Sequence, residues 1–320
     1  MDIGISAGPG AEAVLRPLRA DLPQRAVTEH ILAVADQAGF GAALIDAAAL
    51  SDAAALSDAA VLSDTATGEA AAVITWPQFA HMVRAAARGL SRRGLREGDT
   101  AGIFVQDAIS HAVAVHAVRA AGAIALPVRP AQAAADIATQ LKHGRARLLI
   151  TSAGLAELAI QAAERSWVRQ VFAFGEAEET TPFGSLLHTA RHGQLQANGS
   201  ASHNGHTGGH CAAPALGLDG LDLARVGLDG LDLVELGLDL DGLAPQLTHR
   251  DVVVAAPPCG APDTYTSLLD LALAAGATVV AAPLPQVAAA ADAYKGTAAI
   301  VPAGTYVPGL PAERVFTVAA

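Results

Sequence analysis

Short apolar runs alternate with helix-like stretches through much of the chain from Ala71 onward. Apolar residues recur at helical spacing in ITWPQFAHMVRAAARGLSRRGL, whereas TAGIFVQD and RLLITSA are short and almost continuously apolar. The first pattern is typical of an amphipathic helix, and the second is typical of a buried strand. Strands and helices that alternate with short connections predict an α/β fold with mostly parallel sheets flanked by helices.

The same alternation returns after Thr248, where DVVVAAPP, TVVAAP and TAAIVPAG are predicted strands separated by two predicted helices. We expect these elements to form an incomplete second sheet. The predicted organisation is a loose leader at 1–25, a first α/β subdomain at 26–187, a linker at 188–246, and a partial second α/β subdomain at 247–320.

Two repetitive segments interrupt the α/β pattern. LSDAAALSDAAVLSD repeats every six residues at 50–64, and GLDGLDLARVGLDGLDLVELGLDLDGL repeats with a ten-residue period from Gly217. The first is expected to be a helical or disordered insert in the first subdomain. Because residues 188–246 also contain a polar, glycine-rich and histidine-rich stretch, we predict a flexible linker there.

Charge and cysteine content narrow the classes of function. The 320 residues carry a formal net charge of -11, whereas a nucleic-acid-binding protein normally presents a basic field to phosphates. The two cysteines do not form a disulfide framework, which favours the cytoplasm. The sequence contains no uncharged apolar run of about 18 residues, which is the pattern that would predict a membrane span. We therefore expect no nucleic-acid partner and no membrane partner.

The histidine-rich stretch contains weak candidates for a metal site. Neutral imidazole and thiolate groups bind zinc and related ions, and the candidates are His203, His206, His210 and Cys211. A metal site also needs partners that orient its ligands, and a run of Gly, Ser and Asn supplies few of them. We favour a solvated linker over a metal site, and we interpret His111 and His116 as packing histidines of an apolar helix.

Five stretches in a fixed order carry a family resemblance. They are ITWPQFAHMVRAAARGLSRRGLREGDTAGIF, AVHAVRAAGAIALPVRP, IATQLKHGRARLLITSA, LTHRD and VVVAAPPCGAPDTYTSLLDLALAAGATVVAAP. In this order the chain resembles the N-terminal region of the adenylate-forming (AMP-binding) superfamily, which includes acyl-CoA synthetases and aryl-acid ligases. The resemblance covers roughly residues 30 to 310, and the chain looks like a truncated and degenerate relative.

The resemblance implies ATP- and Mg²⁺-dependent activation of a carboxylate, followed by transfer to a thiol. In the family, a Ser/Thr/Gly-rich phosphate loop ending in Pro-Lys-Gly precedes a Thr-His segment. Here Thr248, His249 and Arg250 match that segment, but the lysine position falls on Leu243. Asp239 and Asp241 would lie where the triphosphate binds, and like charges a few Å apart repel. Thr248, His249 and Arg250 are therefore vestigial nucleotide-binding candidates only, and no catalytic residue is assigned.

Three hypotheses follow from this resemblance. The first is a non-catalytic relative that acts by binding an active ligase paralogue, a carrier protein or itself; it needs no cofactor, and ATP and Mg²⁺ would bind only if the degenerate site still functions. The second is a binder of an acyl, aryl or adenylate ligand with residual or unusual ligase-type activity. The third is a truncated gene remnant.

Overall fold

The computed structural model describes residues 24–47, 73–129, 133–187, 247–258 and 261–318. The repeat insert at 50–64 and the linker at 188–246 lie outside these residues. The described helices are α1 (Gln24–Gln37), α2 (Trp76–Arg92), α3 (Ala108–Ala120), α4 (Ala134–His143), α5 (Ala156–Glu164), α6 (Pro262–Ala274) and α7 (Val287–Ala293). None of them is long and apolar enough to cross a membrane.

The described strands form two sheets. In chain order they are β1 (Ala42–Asp46), β2 (Val73–Thr75), β3 (Thr100–Phe104), β4 (Ile124–Pro127), β5 (Ala146–Ser152), β6 (Gln170–Phe174), β7 (Thr181–Pro182), β8 (Val252–Ala255), β9 (Thr278–Ala281), β10 (Ala298–Pro302) and β11 (Val315–Val318). The five-stranded sheet has the order β4-β3-β5-β6-β7, and the six-stranded sheet has the order β11-β10-β8-β9-β1-β2. All neighbouring pairs are parallel except β1 and β2. The predicted fold class is confirmed.

The two sheets are not assembled from the two stretches of sequence that we predicted. Strand β1 comes from the stretch placed in the first subdomain, yet it pairs with β9, with Leu44 opposite Val279. Strand β2 extends the same sheet beyond β1. The second sheet therefore has six described strands instead of the four that 247–320 contributes. A five-residue apolar strand predicts burial on both faces, but it carries no signal for the sheet that it joins.

Alternate residues of the strands face different layers of the molecule. On β8, Val253 packs into the largest core, whereas Val254 packs into a smaller core on the opposite face. On β5, Leu148 and Ile150 face the largest core and Leu149 faces a third core. Because side chains alternate across a strand, both sheets are buried on both faces.

The helices complete five layers. Helices α1, α2, α3 and α6 fill the largest core between the two sheets. Helix α7 covers the outer face of the six-stranded sheet, and α4 and α5 cover the outer face of the five-stranded sheet. In each sheet, we call the ends at which the parallel strands begin the amino edge, and the ends at which they finish the carboxyl edge.

Candidate functional site

The turn that precedes β8 is held together by one carboxylate. The backbone N–H and the hydroxyl of Thr248 donate to Oδ2 of Asp251 at 2.6 and 2.9 Å. The Oδ1 atom accepts from the Thr297 hydroxyl at 2.7 Å, and a guanidinium nitrogen of Arg314 lies 3.4 Å away. Burial works to raise the pKa of Asp251, but the hydrogen bonds from Thr297 and Thr248 outweigh it, so its pKa lies below the usual value. The ionised carboxylate thus joins the starts of β8, β10 and β11.

All three predicted site residues of this turn are exposed at the amino edge. Thr248, His249 and Arg250 immediately precede β8, and the side-chain partner of Thr248 is Asp251. In open parallel sheets, ligands bind in the crevice outside the carboxyl ends of the strands. The structure therefore places Thr248, His249 and Arg250 together, but on the opposite edge from the usual ligand crevice.

The carboxyl edge carries acidic groups instead. Asp46 ends β1, and Asp107 follows β3 and caps α3 by accepting a 2.6 Å hydrogen bond from the N–H of Ser110. Burial raises the pKa of Asp107, and the negative charge of Asp46 acts in the same direction despite the opposing hydrogen bonds from Ser110. Burial and Asp46 also raise the pKa of Tyr294. Asp46 therefore contributes negative potential where strands of both sheets end.

Most cationic side chains near the strand ends lie at the amino edges. Both lysines of the chain belong to this group, since Lys142 lies in the last turn of α4 before β5, and Lys295 lies between α7 and β10. The other members among the described residues are Arg93, Arg96, Arg145, Arg147, Arg165, Arg169, Arg250 and Arg314. Arg129, which follows β4, is a cation at a carboxyl edge, and it acts electrostatically on Asp263. This distribution disfavours a polyanion in the carboxyl-edge crevice.

A buried polar network ties the middle layer together. Arg119 of α3 donates to Oδ2 of Asp270 on α6 at 2.6 Å. The Nδ1 atom of His116 lies 2.9 Å from the hydroxyl of Thr28 on α1, and Nε2 of His111 lies 2.8 Å from the hydroxyl of Thr266. All of these residues are almost completely buried.

The two histidines of this network are uncharged. Burial lowers the pKa of His111 to about 3 and places that of His116 well below its usual value, and Arg119 acts in the same direction on both. The Nε2 atom of His116 lies 3.4 Å from Asp270 but makes no hydrogen bond, so this contact is not an ion pair. The interpretation of His111 and His116 as packing histidines is confirmed. The network joins α1, α3 and α6.

Comparison with known proteins finds a family match in the first part of the chain. The sequence of residues 46–201 matches the AMP-binding enzyme family. This match agrees with the resemblance drawn from the sequence. A long-chain-fatty-acid-CoA ligase from Archaeoglobus fulgidus has a similar structure, with a TM-score of 0.58 and 18% identity, over 88% of this chain and 52% of that one. A benzoate CoA ligase from Burkholderia xenovorans is similar with a TM-score of 0.53 and 17% identity, over 91% of this chain and 54% of that one.

The AMP-binding region and the strands that follow it span about half of those two ligases. A third similar structure is the inhibitor-bound N-terminal domain of FACL13 from Mycobacterium tuberculosis, with a TM-score of 0.55 and 14% identity. It matches 87% of this chain and 63% of that one. At these identities the structures establish a shared fold, and they confirm the resemblance drawn from the sequence.

The metal-site candidates fall outside the described residues. They are His203, His206, His210 and Cys211. Among the residues that the structure does describe, no group of three or more His, Cys, Asp or Glu side chains is placed to hold a metal ion.

The Arg119–Asp270 pair and the acidic carboxyl edge were missed by the reasoning from sequence. Arg119 and Asp270 are 151 positions apart, and each looks like an ordinary polar residue of an amphipathic helix. A signal for Asp107 does exist, because an aspartate directly after a strand and before a helix is a typical N-cap. Nothing in the sequence indicates that Asp46 lies nearby.

Proposed function

We propose that this chain uses the fold of AMP-forming acyl-CoA synthetases for binding a partner protein or itself, and that it does not adenylate a carboxylate on its own. The observation that carries the proposal is the distribution of charge, with both lysines at amino edges and Asp46 and Asp107 at carboxyl edges. Catalysis of phosphoryl chemistry depends on cations and N–H donors aimed at the charge that develops on the phosphates.

The turn at Thr248 supports the same proposal. Its hydroxyl and N–H donate to Asp251, so the best-matching family residue uses its donors inside the fold. Among the preceding positions, Asp239 falls where the family pattern has a hydroxyl and Leu243 where it has the lysine, and Asp241 lies between them. Two carboxylates at this position repel a triphosphate, which lowers the expected affinity for ATP.

Exposed aromatic side chains support a binding role. Phe40 is 90% exposed in the turn between α1 and β1, and Tyr306 is 81% exposed after β10. Phe40 also borders a groove of about 480 Å³ together with Pro77, His81 and Arg84. Aromatic residues and arginine are enriched at protein interfaces. The partners consistent with this surface are an active ligase paralogue, a carrier protein or a second copy of the chain.

Exchange of pyrophosphate into ATP tests the lack of adenylation. The purified chain is incubated with ATP, Mg²⁺, labelled pyrophosphate and a panel of fatty and aromatic acids, with an active fatty-acid-CoA ligase as positive control. We expect no exchange above that of the heat-treated chain. Acid-dependent exchange that persists in preparations purified by two unrelated tags would refute the proposal.

Substitution of the exposed aromatic residue tests the binding role. Sedimentation and cross-linking of the chain, alone and with a co-purified ligase or carrier protein, should reveal a complex that Phe40→Ser weakens at least tenfold. Leu284→Ser, at another exposed apolar position, is the matched control and should leave the complex unchanged. An absence of any complex, or equal weakening by both variants, would contradict the assignment of this surface.

A second candidate function is binding of an acyl, aryl or adenylate ligand without turnover. It is favoured by a similar anthranilate CoA ligase whose structure contains anthranoyl-AMP, and by the inhibitor-bound N-terminal domain described above. Thermal unfolding with non-hydrolysable acyl-adenylate analogues and coenzyme A separates the two candidates. A concentration-dependent rise in Tm would favour ligand binding, and an unchanged Tm would favour the partner-binding role.

A further inference from the structure

A groove lined by four arginines lies at the amino edge of the five-stranded sheet. Arg93 and Arg96 come from the connection between α2 and β3, Arg147 from the start of β5, and Arg169 from the residue before β6. The groove has a volume of about 620 Å³. We call it the arginine groove; its lining is completed by Gly94, Leu95, Leu148 and Gln170.

The arginine groove holds more positive charge than its neighbours neutralise. Arg147 forms an ion pair with Asp99 at 2.9 Å, and the backbone N–H of Arg96 donates to the same carboxylate at 2.9 Å. Burial works to raise the pKa of Asp99, but the hydrogen bonds from Arg147 and Arg96 outweigh it, so its pKa is lowered and it stays ionised. Arg93 and Arg169 are exposed, and the ion pairs between described residues include neither of them. Four guanidinium groups therefore face one carboxylate, in a chain whose net charge is -11.

The backbone fixes the spacing of these cations. The N–H of Arg169 donates to the carbonyl oxygen of Arg147 at 2.8 Å, and β5 pairs with β6 directly beyond this bond. The N–H of Asp99 donates to the carbonyl oxygen of Arg96 at 3.0 Å, which closes the turn before β3. Because β3 and β5 are also paired, the side chains project from adjacent parts of one rigid edge. Ordering them around a ligand costs only side-chain entropy.

The chemistry of the lining selects a class of ligand. Guanidinium groups bind phosphate oxygens through two parallel hydrogen bonds, and the volume is within the range of small-molecule sites, about 300–1,000 Å³. The lining has no aromatic side chain on which a base could stack. Its two leucines, Leu95 and Leu148, are buried beneath the arginines, so the groove lacks the exposed apolar anchors of a protein interface.

We propose that the arginine groove binds a small soluble anion that carries two or more phosphate groups. This site is separate from the carboxyl-edge crevice and does not depend on the proposed function. With one of the four positive charges cancelled by Asp99, a ligand with a charge of about -3 matches the remainder. Single phosphate groups would engage only part of the lining.

Calorimetric titration of the full chain with inorganic pyrophosphate and tripolyphosphate tests this site. We expect saturable binding at low salt that is tighter for these ions than for inorganic phosphate and weakens as salt rises. Arg93→Ala combined with Arg169→Ala should weaken it at least tenfold. Arg169→Lys should also weaken the binding, because lysine lacks the planar donor pair of arginine. The loss should be smaller than that of the double variant, because lysine keeps the positive charge.

Two exposed arginines near the same edge provide matched controls. Arg145→Ala and Arg165→Ala remove a charge outside the lining, and each should change the affinity less than twofold. Equal weakening by these controls would mean diffuse surface charge and would overturn the proposal, as would an absence of saturable binding. Tighter binding to vesicles of anionic phospholipid, or to an acidic peptide, would assign the groove to a macromolecule and would also overturn it. Unfolding curves that match the parent chain verify that each variant is folded.

Discussion

At the scale of single residues, the most consequential side chains of the described chain are polar groups inside the middle layer. Arg119 and Asp270 are each almost fully buried, so each depends on the other for its charge to be tolerated. A buried ion pair adds little net stability compared with apolar residues, but removal of one partner leaves an uncompensated charge. The pair therefore specifies how α3 and α6 meet more than it stabilises them.

Asp270→Ala should lower the free energy of unfolding by about 3–5 kcal/mol, because Arg119 then remains buried without a counter-charge. The double variant Arg119→Met, Asp270→Leu should lose clearly less stability than Asp270→Ala, since it leaves no buried charge unpaired. Urea denaturation at neutral pH measures both. The exposed Asp292→Ala change, at an ion pair on the surface, serves as control and should have no measurable effect. A double variant that is less stable than Asp270→Ala would contradict this account.

His111 should make stability depend on pH. Its pKa is lowered to about 3, chiefly by burial, with Asp270 opposing and Arg119 and His116 adding to the decrease, whereas the unfolded value is about 6.5. The unfolded state therefore binds more protons, and the contribution of His111 is complete above about pH 6.5 and is lost as pH falls towards 3. One such group changes the free energy of unfolding by about 1.4 kcal/mol per pH unit within this range.

The variant His111→Gln keeps a nitrogen within reach of Thr266 and removes the titrating ring. Between about pH 6 and 4.5, its free energy of unfolding should fall less steeply than that of the parent chain, by about the slope of one proton. His116, whose pKa is lowered in the same way, and the carboxylates with shifted pKa values contribute to the slope that remains in the variant. Identical slopes for the variant and the parent chain would show that His111 is protonated in the folded state.

At the scale of elements, local sequence sets the start of α2 and close packing sets its position. The Thr75 hydroxyl accepts from the N–H of Gln78, whose side chain accepts from the N–H of Thr75, which is a capping box at the helix start. Near the other end, Gly89 lies directly against the backbone of Leu186. The helix can approach the segment after β7 this closely only because position 89 has no side chain.

Gly89→Ala should lower the free energy of unfolding by about 1–3 kcal/mol, although alanine is the better helix former, because the new methyl group would meet the Leu186 carbonyl oxygen and Cα. Thermal and urea unfolding measure the change. Arg88→Ala, at the exposed neighbouring position, is the control and should be neutral. Stabilisation of the chain by Gly89→Ala would mean that helix propensity outweighs the contact.

At the scale of the whole molecule, the six-stranded sheet and the middle layer combine residues from both sides of the 188–246 segment. Strand β1 pairs with β9, and α1 and α3 pack against α6 in the largest core. The two stretches of sequence that we predicted as subdomains therefore share one hydrophobic core. Each stretch therefore buries part of its apolar surface against the other.

Cleavage within 188–246 should leave the two fragments associated. A protease recognition sequence is inserted after Gly205, and the cleaved chain is analysed by gel filtration without denaturant. We expect the fragments to co-elute, because separating them would expose β9 and α6. The matched control is the cleaved chain that carries Asp270→Ala. When urea is added, its two fragments should separate at a lower concentration than the fragments of the cleaved parent chain. Fragments that elute apart and remain folded would restore the predicted division into independent subdomains.

The sequence by itself determined the features that depend on neighbouring residues. Periodicity predicted the helices and buried strands, and the order of five stretches indicated the adenylate-forming family. Positions 239–243 led us to predict an altered phosphate-binding loop. Each of these is readable locally because backbone periodicity and loop chemistry act over a few residues. The burial of His111 is of the same kind.

Only the tertiary structure decided which distant segments meet. It joined β1 to β9, paired Arg119 with Asp270, gathered four arginines into one groove, and placed Thr248 at the amino edge and Asp107 at the carboxyl edge. The physical reason is that a short apolar strand can satisfy its hydrogen bonds in either sheet, and a charge can pair with any opposite charge within a few Å. Packing across the five layers determines which strands and which charges pair, and the pattern within a single segment does not predict these pairings.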